Sequence, residues 1–293
     1  LNSEILLRIA IGDAIALATE YVSDDPDLIR DALLFKGYLA HPKYPLKPGA
    51  YSDDTQMSIS VAEVLLGDDW SKAAFADSFV RCFHRDPRKG YSRGFQKVLE
   101  GVRSGAGLIA ALKPHSDKNG AAMRSVPVGF LSDPAQILRV SEEHAKITHD
   151  TRDGILSAQT VALMAHFAIH TSEPFYNLPY FLYKHLHPEW VGEILDPVWP
   201  PVVGPRVGFK TVQAVWNIIK DEPDTLDALW QIIAWGGDTD SVAAITLGIL
   251  APRAKDTLPP WSIEGLETNG AFGPEFLTRL NDRLVEKFLT KGV

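Results

Sequence analysis

Cysteine is almost missing from this chain: Cys82 is the only one in 293 residues. That excludes an internal disulfide and a thiolate-held metal cluster, and it makes a reducing, cytoplasmic setting the expected one. Basic residues are also in deficit, 29 Lys and Arg against 37 Asp and Glu, for a formal charge of -8. General coating of nucleic acid does not fit that balance, although a local basic patch does. No stretch reaches the roughly 18 uninterrupted apolar residues of a membrane span, so a soluble chain with no membrane partner is expected. Residues 5–18 faintly resemble a signal core, but Arg8 and Asp13 interrupt them and no cleavage site follows. The leucine at position 1 reads as a trimmed start. Runs alternating with period two are nearly absent as well, which leaves little room for β-sheet.

What is present is helical spacing in an ordinary globular composition, 45% hydrophobic and 23% charged. Met57, Val61, Val64 and Leu65 fall on one helix face, as do Ala158, Val161, Ala162, Ala165 and Ile169. Leu226, Leu229, Ile232 and Ile233 repeat the pattern, and so do Phe276, Leu280, Leu284 and Phe288. The expectation is an all-α, compact single-domain multi-helix bundle over residues 1–293. Prolines break the pattern at 41–50 and 174–210, which read as ordered loops laid on the helical body. No repeat of solenoid type is present.

Chemistry concentrates in two runs, Ser52-Asp53-Asp54-Thr55-Gln56-Met57 and Gly236-Gly237-Asp238-Thr239-Asp240-Ser241. Each places two carboxylates and a hydroxyl just ahead of an apolar helical pattern. The plain reading is helix capping, the common use of Asp, Ser and Thr at such positions. Capping needs one acceptor, however, and each run offers more. Gly236-Gly237 also permits a tight backbone approach that a cap does not require. Four carboxylates brought together would repel one another unless cations lay between them, and two divalent ions balance their charge. Oxygen donors without His or Cys suit Mg²⁺, Mn²⁺ or Ca²⁺ over zinc.

Other segments extend the pattern. Asp13 and Glu20 are the only acids on an otherwise apolar stretch, seven residues apart and so on roughly one helix face. A buried carboxylate needs a partner, a metal or a chemical task, whereas Glu20 at a helix end could simply be solvated. Asn119-Gly120-Ala121-Ala122-Met123-Arg124 reads as a helix entry whose free N–H groups suit a phosphate, or as an ordinary helix start. His149 alone reads as a surface or a satisfied core histidine.

Taken in order, these segments resemble the ADP-ribosylglycohydrolase family, over residues 9 to about 250. The resemblance implies an all-α fold holding two divalent ions, Mg²⁺ or Mn²⁺, on Ser52, Asp53, Asp54, Asp238, Asp240 and Ser241. The family usually carries threonine where Ser52 and Ser241 stand; serine keeps the hydroxyl oxygen. It implies that Glu20, Asp54 and Asp240 serve catalysis and that Asn119, Gly120, Met123 and His149 contact the ADP-ribosyl group. Arg88-Lys89-Gly90-Tyr91 resembles a further family segment. The implied activity is hydrolysis of the C1″ bond between ADP-ribose and an acceptor, with an ADP-ribosylated protein or an ADP-ribose-containing small molecule as partner. Two other readings stay open: a non-catalytic ADP-ribose-binding or structural relative, and an all-α Mg²⁺-dependent prenyl-transfer enzyme. Against the latter, Met57 stands where a further aspartate is needed. Phe175, Tyr176, Tyr180, Phe181 and Trp199 could form an adenine platform or belong to the core.

Overall fold

The segment Ile5–Ala16 is apolar on every side, and a helix of that kind is stable only when wholly enclosed. A computed structural model describing residues 4–196, 202–268 and 270–290 encloses it: every residue of this helix, α1, is buried. Around it lie α2 (Pro26–Ala32), α3 (Asp53–Leu65), α4 (Lys72–Arg85), α5 (Arg93–Gly101), α6 (Gly105–Ala111), α7 (Pro134–Ala145) and α8 (Arg152–His170). The chain continues through α9 (Leu178–His185), α10 (Pro188–Leu195), α11 (Val207–Ile219), α12 (Thr225–Trp235), α13 (Thr239–Leu250), α14 (Pro260–Glu264) and α15 (Pro274–Phe288). Among the described residues there is no β-strand, only the isolated bridges His115–His149 and Val202–Gly237. The all-α expectation holds. No helix among the described residues is long and apolar enough to cross a membrane.

The centre of the molecule is the pair α1 and α13, the latter also buried along its whole length. They touch closely at Gly12, where a β-carbon would lie 2.7 Å from the Ala243 carbonyl oxygen. Helices α3, α12 and α15 pack on α1, while α8, α11 and α12 pack on α13. Side-chain caps start many of the outer helices: Ser71 for α4, Ser104 for α6, Asp133 for α7, Thr151 for α8 and Asp224 for α12. Each satisfies one of the orphan N–H groups of a first turn.

Residues 174–210 are more helical than a proline-rich loop. They hold α9, α10 and the start of α11, with Pro179 and Pro188 in first turns, where a missing N–H costs nothing. Residues 41–50 carry no helix, and His41 fastens them. Its Nδ1 accepts the N–H groups of Lys43 and Tyr44, so its Nε2 donates to the Glu20 carbonyl at 2.9 Å.

Candidate metal centre and substrate cavity

Helix α1 joins the two acidic runs. Midway along it, Asp13 accepts hydrogen bonds from the Ser52 N–H (3.0 Å), the Thr55 N–H (3.0 Å) and the Thr55 hydroxyl (2.6 Å). At its end, the Ala16 carbonyl accepts from Thr19 Oγ1 (2.9 Å) and from Thr239 Oγ1 (2.8 Å). One helix thus holds the start of α3 through its middle and the start of α13 through its end. The expected shared face for Asp13 and Glu20 is corrected here. α1 stops at Ala16, a 3₁₀ turn follows over Leu17–Thr19, and Glu20 is extended, with φ -58° and ψ 121°. Asp13 turns to α3 and organises it; Glu20 stands over the start of α13.

The capping reading separates cleanly between the runs. Ser52 is the cap of α3, its Oγ accepting the Asp54 N–H at 3.2 Å and donating to Asp54 Oδ2 at 3.3 Å. Asp238 holds the cap position of α13 but makes no side-chain cap bond. Its Oδ2 accepts from the Tyr21 hydroxyl at 2.6 Å instead. Oxygens of Glu20, Asp238 and Asp240 lie within 4.8 Å of one another. Asp54 Oδ1 and Asp240 Oδ1 are buried with no hydrogen-bond partner among the described residues. Buried carboxylate oxygens left without donors are costly, and here two of them sit in one acidic cluster.

Protonation shows the same tension. Burial, then the Asp238, Asp53 and Asp13 carboxylates, push Glu20 up to about 9, with the Tyr44 hydroxyl pulling the other way. Burial and Asp13 push Asp53 up to about 8. Burial holds Asp54 and Asp240 well above the usual carboxylate range, helped by neighbouring carboxylates on each side. Burial also takes Asp13 up to about 6 against its hydrogen bonds. A cluster that cannot ionise together unaided is one that divalent cations would complete. The donor set, all carboxylate and hydroxyl oxygen, fits a hard ion.

These groups form the floor of a cavity of about 750 Å³. Glu20, Asp53, Asp54, Asp238, Asp240 and Ser241 line it; Ser52 is fully buried behind the wall. Asn119, Gly120, Met123 and His149 line it too, so every sequence-derived site residue except Ser52 faces one space. The Asn119–Arg124 segment is a turn, closed by Met123 N–H to the Asn119 carbonyl at 2.9 Å, and not the expected helix start. Pro127 has no N–H with which to continue an α-ladder, and a 3₁₀ turn over Val126–Phe130 follows. Gly90 presses against the acidic floor: at φ 121°, a β-carbon there would meet Asp53 Oδ1 at 2.4 Å. Lys89, Arg93, Lys113 and Lys118 line the same cavity, giving an acidic floor cationic walls.

Tyr21 and Tyr44 are cavity residues that sequence patterning missed. Tyr21 adjoins Glu20, the one signal that could have found it. Its φ of 50° is unusual for a non-glycine residue, and its N–H is fixed on the Gly237 carbonyl at 2.8 Å. Gly236 and Gly237 take φ 72° and 83°, and a β-carbon on Gly237 would meet the Val202 backbone nitrogen at 2.8 Å. Tyr44 stacks on His41 with ring centres 3.9 Å apart. None of Phe175, Tyr176, Tyr180 or Phe181 lines the cavity; Phe175 is core, while Tyr176 and Tyr180 are exposed. Trp199 lies outside the described residues. Met57, where a prenyl-transfer motif would continue with aspartate, is packed in the core.

The family described as ADP-ribosylglycohydrolase matches residues 5–292. An ADP-ribosylarginine hydrolase of Serratia proteamaculans is 23% identical over 258 residues, covering 82% of this chain and 68% of that protein. One from Pseudomonas putida is 23% identical over 178 residues, or 57% of this chain; the match spans just under half of that relative, 46%. An uncharacterised protein of Archaeoglobus fulgidus is 26% identical, with 96% and 94% of the two chains covered. A solved structure described as an ADP-ribosylglycohydrolase-related protein complex superposes with a TM-score of 0.75 at 20% identity, covering 97% of each chain. That likeness shows the fold.

Proposed function

The chain belongs to the ADP-ribosylglycohydrolase family, and on that premise we propose that it is a divalent-metal-dependent hydrolase releasing ADP-ribose from a modified acceptor, most simply a protein side chain. The observation that carries the reading is the meeting of both acidic runs on one cavity floor, with Asp54 Oδ1 and Asp240 Oδ1 buried and unpartnered. Ser52, Asp53, Asp54, Asp238, Asp240 and Ser241 would hold two ions, Mg²⁺ or Mn²⁺. Bound there, the ions supply Lewis acidity, lower the pKa of water and neutralise the cluster.

The chain's own residues do the rest. Hydrolysis adds water across the C1″–acceptor bond: the hydroxyl goes to C1″ and the proton to the departing acceptor atom. The transition state develops positive charge on the ribose ring. Glu20 is the proton-carrying residue, a cavity-lining carboxyl beside Asp238 and Asp240 that lies outside the proposed ligand set. Asn119, Gly120, Met123 and His149 hold the ADP-ribosyl group, and the cationic walls complement its diphosphate. The Tyr44 hydroxyl bonds Glu20, while the Tyr21 hydroxyl holds the neighbouring Asp238.

The test is release of free ADP-ribose with Mg²⁺ present, from arginine-linked, serine-linked and O-acyl ADP-ribose in parallel. Release from one class identifies the acceptor, and Glu20→Gln and Asp240→Asn should each abolish it. Parent-rate turnover by either variant would sink the assigned roles. Tight ADP-ribose binding with no turnover on any substrate would instead make the protein a binding module.

A further inference from the structure

One wall of the cavity is wired by a single hydrogen-bond chain. Arg124 is buried, and a guanidinium can only donate. Its Nη1 donates to the Gly120 carbonyl at 2.8 Å, and its Nη2 to the His144 carbonyl at 2.9 Å and to Thr148 Oγ1 at 2.8 Å. Thr148 Oγ1 lies 2.6 Å from His149 Nδ1. A hydroxyl has one hydrogen to give. Since Arg124 donates to Oγ1 and no other acceptor for the Thr148 hydrogen occurs among the described residues, that hydrogen points at Nδ1. Nδ1 is then the acceptor, and the ring hydrogen sits on Nε2. Were Nδ1 protonated, Oγ1 would face two donors, Arg124 Nη2 and the ring N–H, and would lose Nδ1 as the acceptor for its own hydrogen.

The surroundings favour the same state. Burial first, then the Arg124 and Lys118 cations, draws the His149 pKa down to about 3, and His144 nearby is itself held neutral by burial. His149 lines the cavity, and its Nε2 has no protein partner among the described residues. We propose that Thr148 and Arg124 are positioning residues that fix His149 as a neutral Nε2–H donor, and that this donor recognises an oxygen of the bound ADP-ribosyl group by hydrogen bonding, not by ion pairing. The ligand half of this inference rests on the proposed function. The tautomer half rests on the hydrogen-bond chain alone. Thr148 acts through the imidazole, 2.6 Å from its Oγ1.

Nitrogen-15 NMR of the histidine rings tests both halves, with the His149 signals assigned by their loss in His149→Gln. In the parent protein they should show a protonated Nε2 and an unprotonated Nδ1. Thr148→Val should drive them toward a mixture of tautomers and weaken ADP-ribose binding about ten-fold, a single hydrogen bond's worth. KM should rise by a similar factor with kcat little changed, and Thr148→Ser should restore both the signature and the affinity. A parent spectrum with Nδ1 protonated, or a Thr148→Val protein with parent tautomer and affinity, overturns the proposal. Should the parent bind no ADP-ribose, the proposed function fails, while the spectrum still decides whether the hydrogen-bond chain sets the tautomer.

Discussion

The Tyr21 hydroxyl donates a 2.6 Å hydrogen bond to Oδ2 of Asp238, residues far apart in the chain whose backbones meet through Tyr21 N–H and the Gly237 carbonyl. A left-handed backbone at a tyrosine costs about 1–3 kcal/mol, and these two bonds hold it in place. The result is that Asp238 is oriented from the segment carrying Glu20.

Tyr21→Phe should therefore weaken the site while sparing the fold. Loss of a partner behind a metal-ligating carboxylate typically costs about 10–100-fold in metal affinity or activity. The expected outcome is a fall in Mn²⁺ affinity of at least about ten-fold by calorimetric titration, with unfolding shifted by a few degrees at most. Unchanged Mn²⁺ affinity would show that Asp238 needs no such support.

Asp13 has the opposite character, structural first and chemical second. Asp13→Ala would strip the Ser52 and Thr55 N–H groups and the Thr55 hydroxyl of their acceptor in a fully buried setting. Breaking a buried charged network of this kind costs about 3–5 kcal/mol. Urea denaturation should show a loss of that order. Asp13→Asn should recover only part of it, because its amide places hydrogens where the site supplies donors.

The carboxylate cluster makes a signed prediction about pH. Glu20 at about 9, Asp53 at about 8 and Asp13 at about 6 are all raised above the ordinary carboxylate values of an unfolded chain. The folded, metal-free protein then binds more protons than the unfolded one, so its stability falls as pH rises. The contribution is whole below about pH 4 and is lost progressively as pH climbs toward 9. Thermal unfolding in EDTA should therefore drop between pH 5 and pH 9 by more than in saturating Mg²⁺. Parallel curves with and without Mg²⁺ would show that the ion does not relieve this cluster.

Much of this architecture was legible from side-chain spacing. The face formed by Met57, Val61, Val64 and Leu65 is core in α3, and the apolar run around Asp13 is the buried α1. The acidic runs were legible as helix starts, but that Asp238 accepts from Tyr21 instead of capping α13 depends on a partner more than two hundred residues away. What escaped the sequence depends on contacts between distant segments. Thr239, 220 residues beyond Thr19, helps end α1 at Ala16 and so moves Glu20 off the Asp13 face. The 119–124 turn is a different case: Pro127 was in plain view, and its effect on the preceding backbone outweighs the helix-forming alanines. Helices α9 and α10 are hidden in the sequence because their prolines, which break a helix interior, occupy first turns here.

The central claim, one metal-dependent hydrolytic centre built from both acidic runs, is tested most directly by following ADP-ribose release from an arginine-, serine- or O-acyl-linked substrate before and after EDTA treatment. Release should cease in EDTA and return when Mg²⁺ or Mn²⁺ is added back in excess, with no return in Asp240→Asn. Undiminished release in EDTA, or restoration in Asp240→Asn to the parent rate, would contradict it.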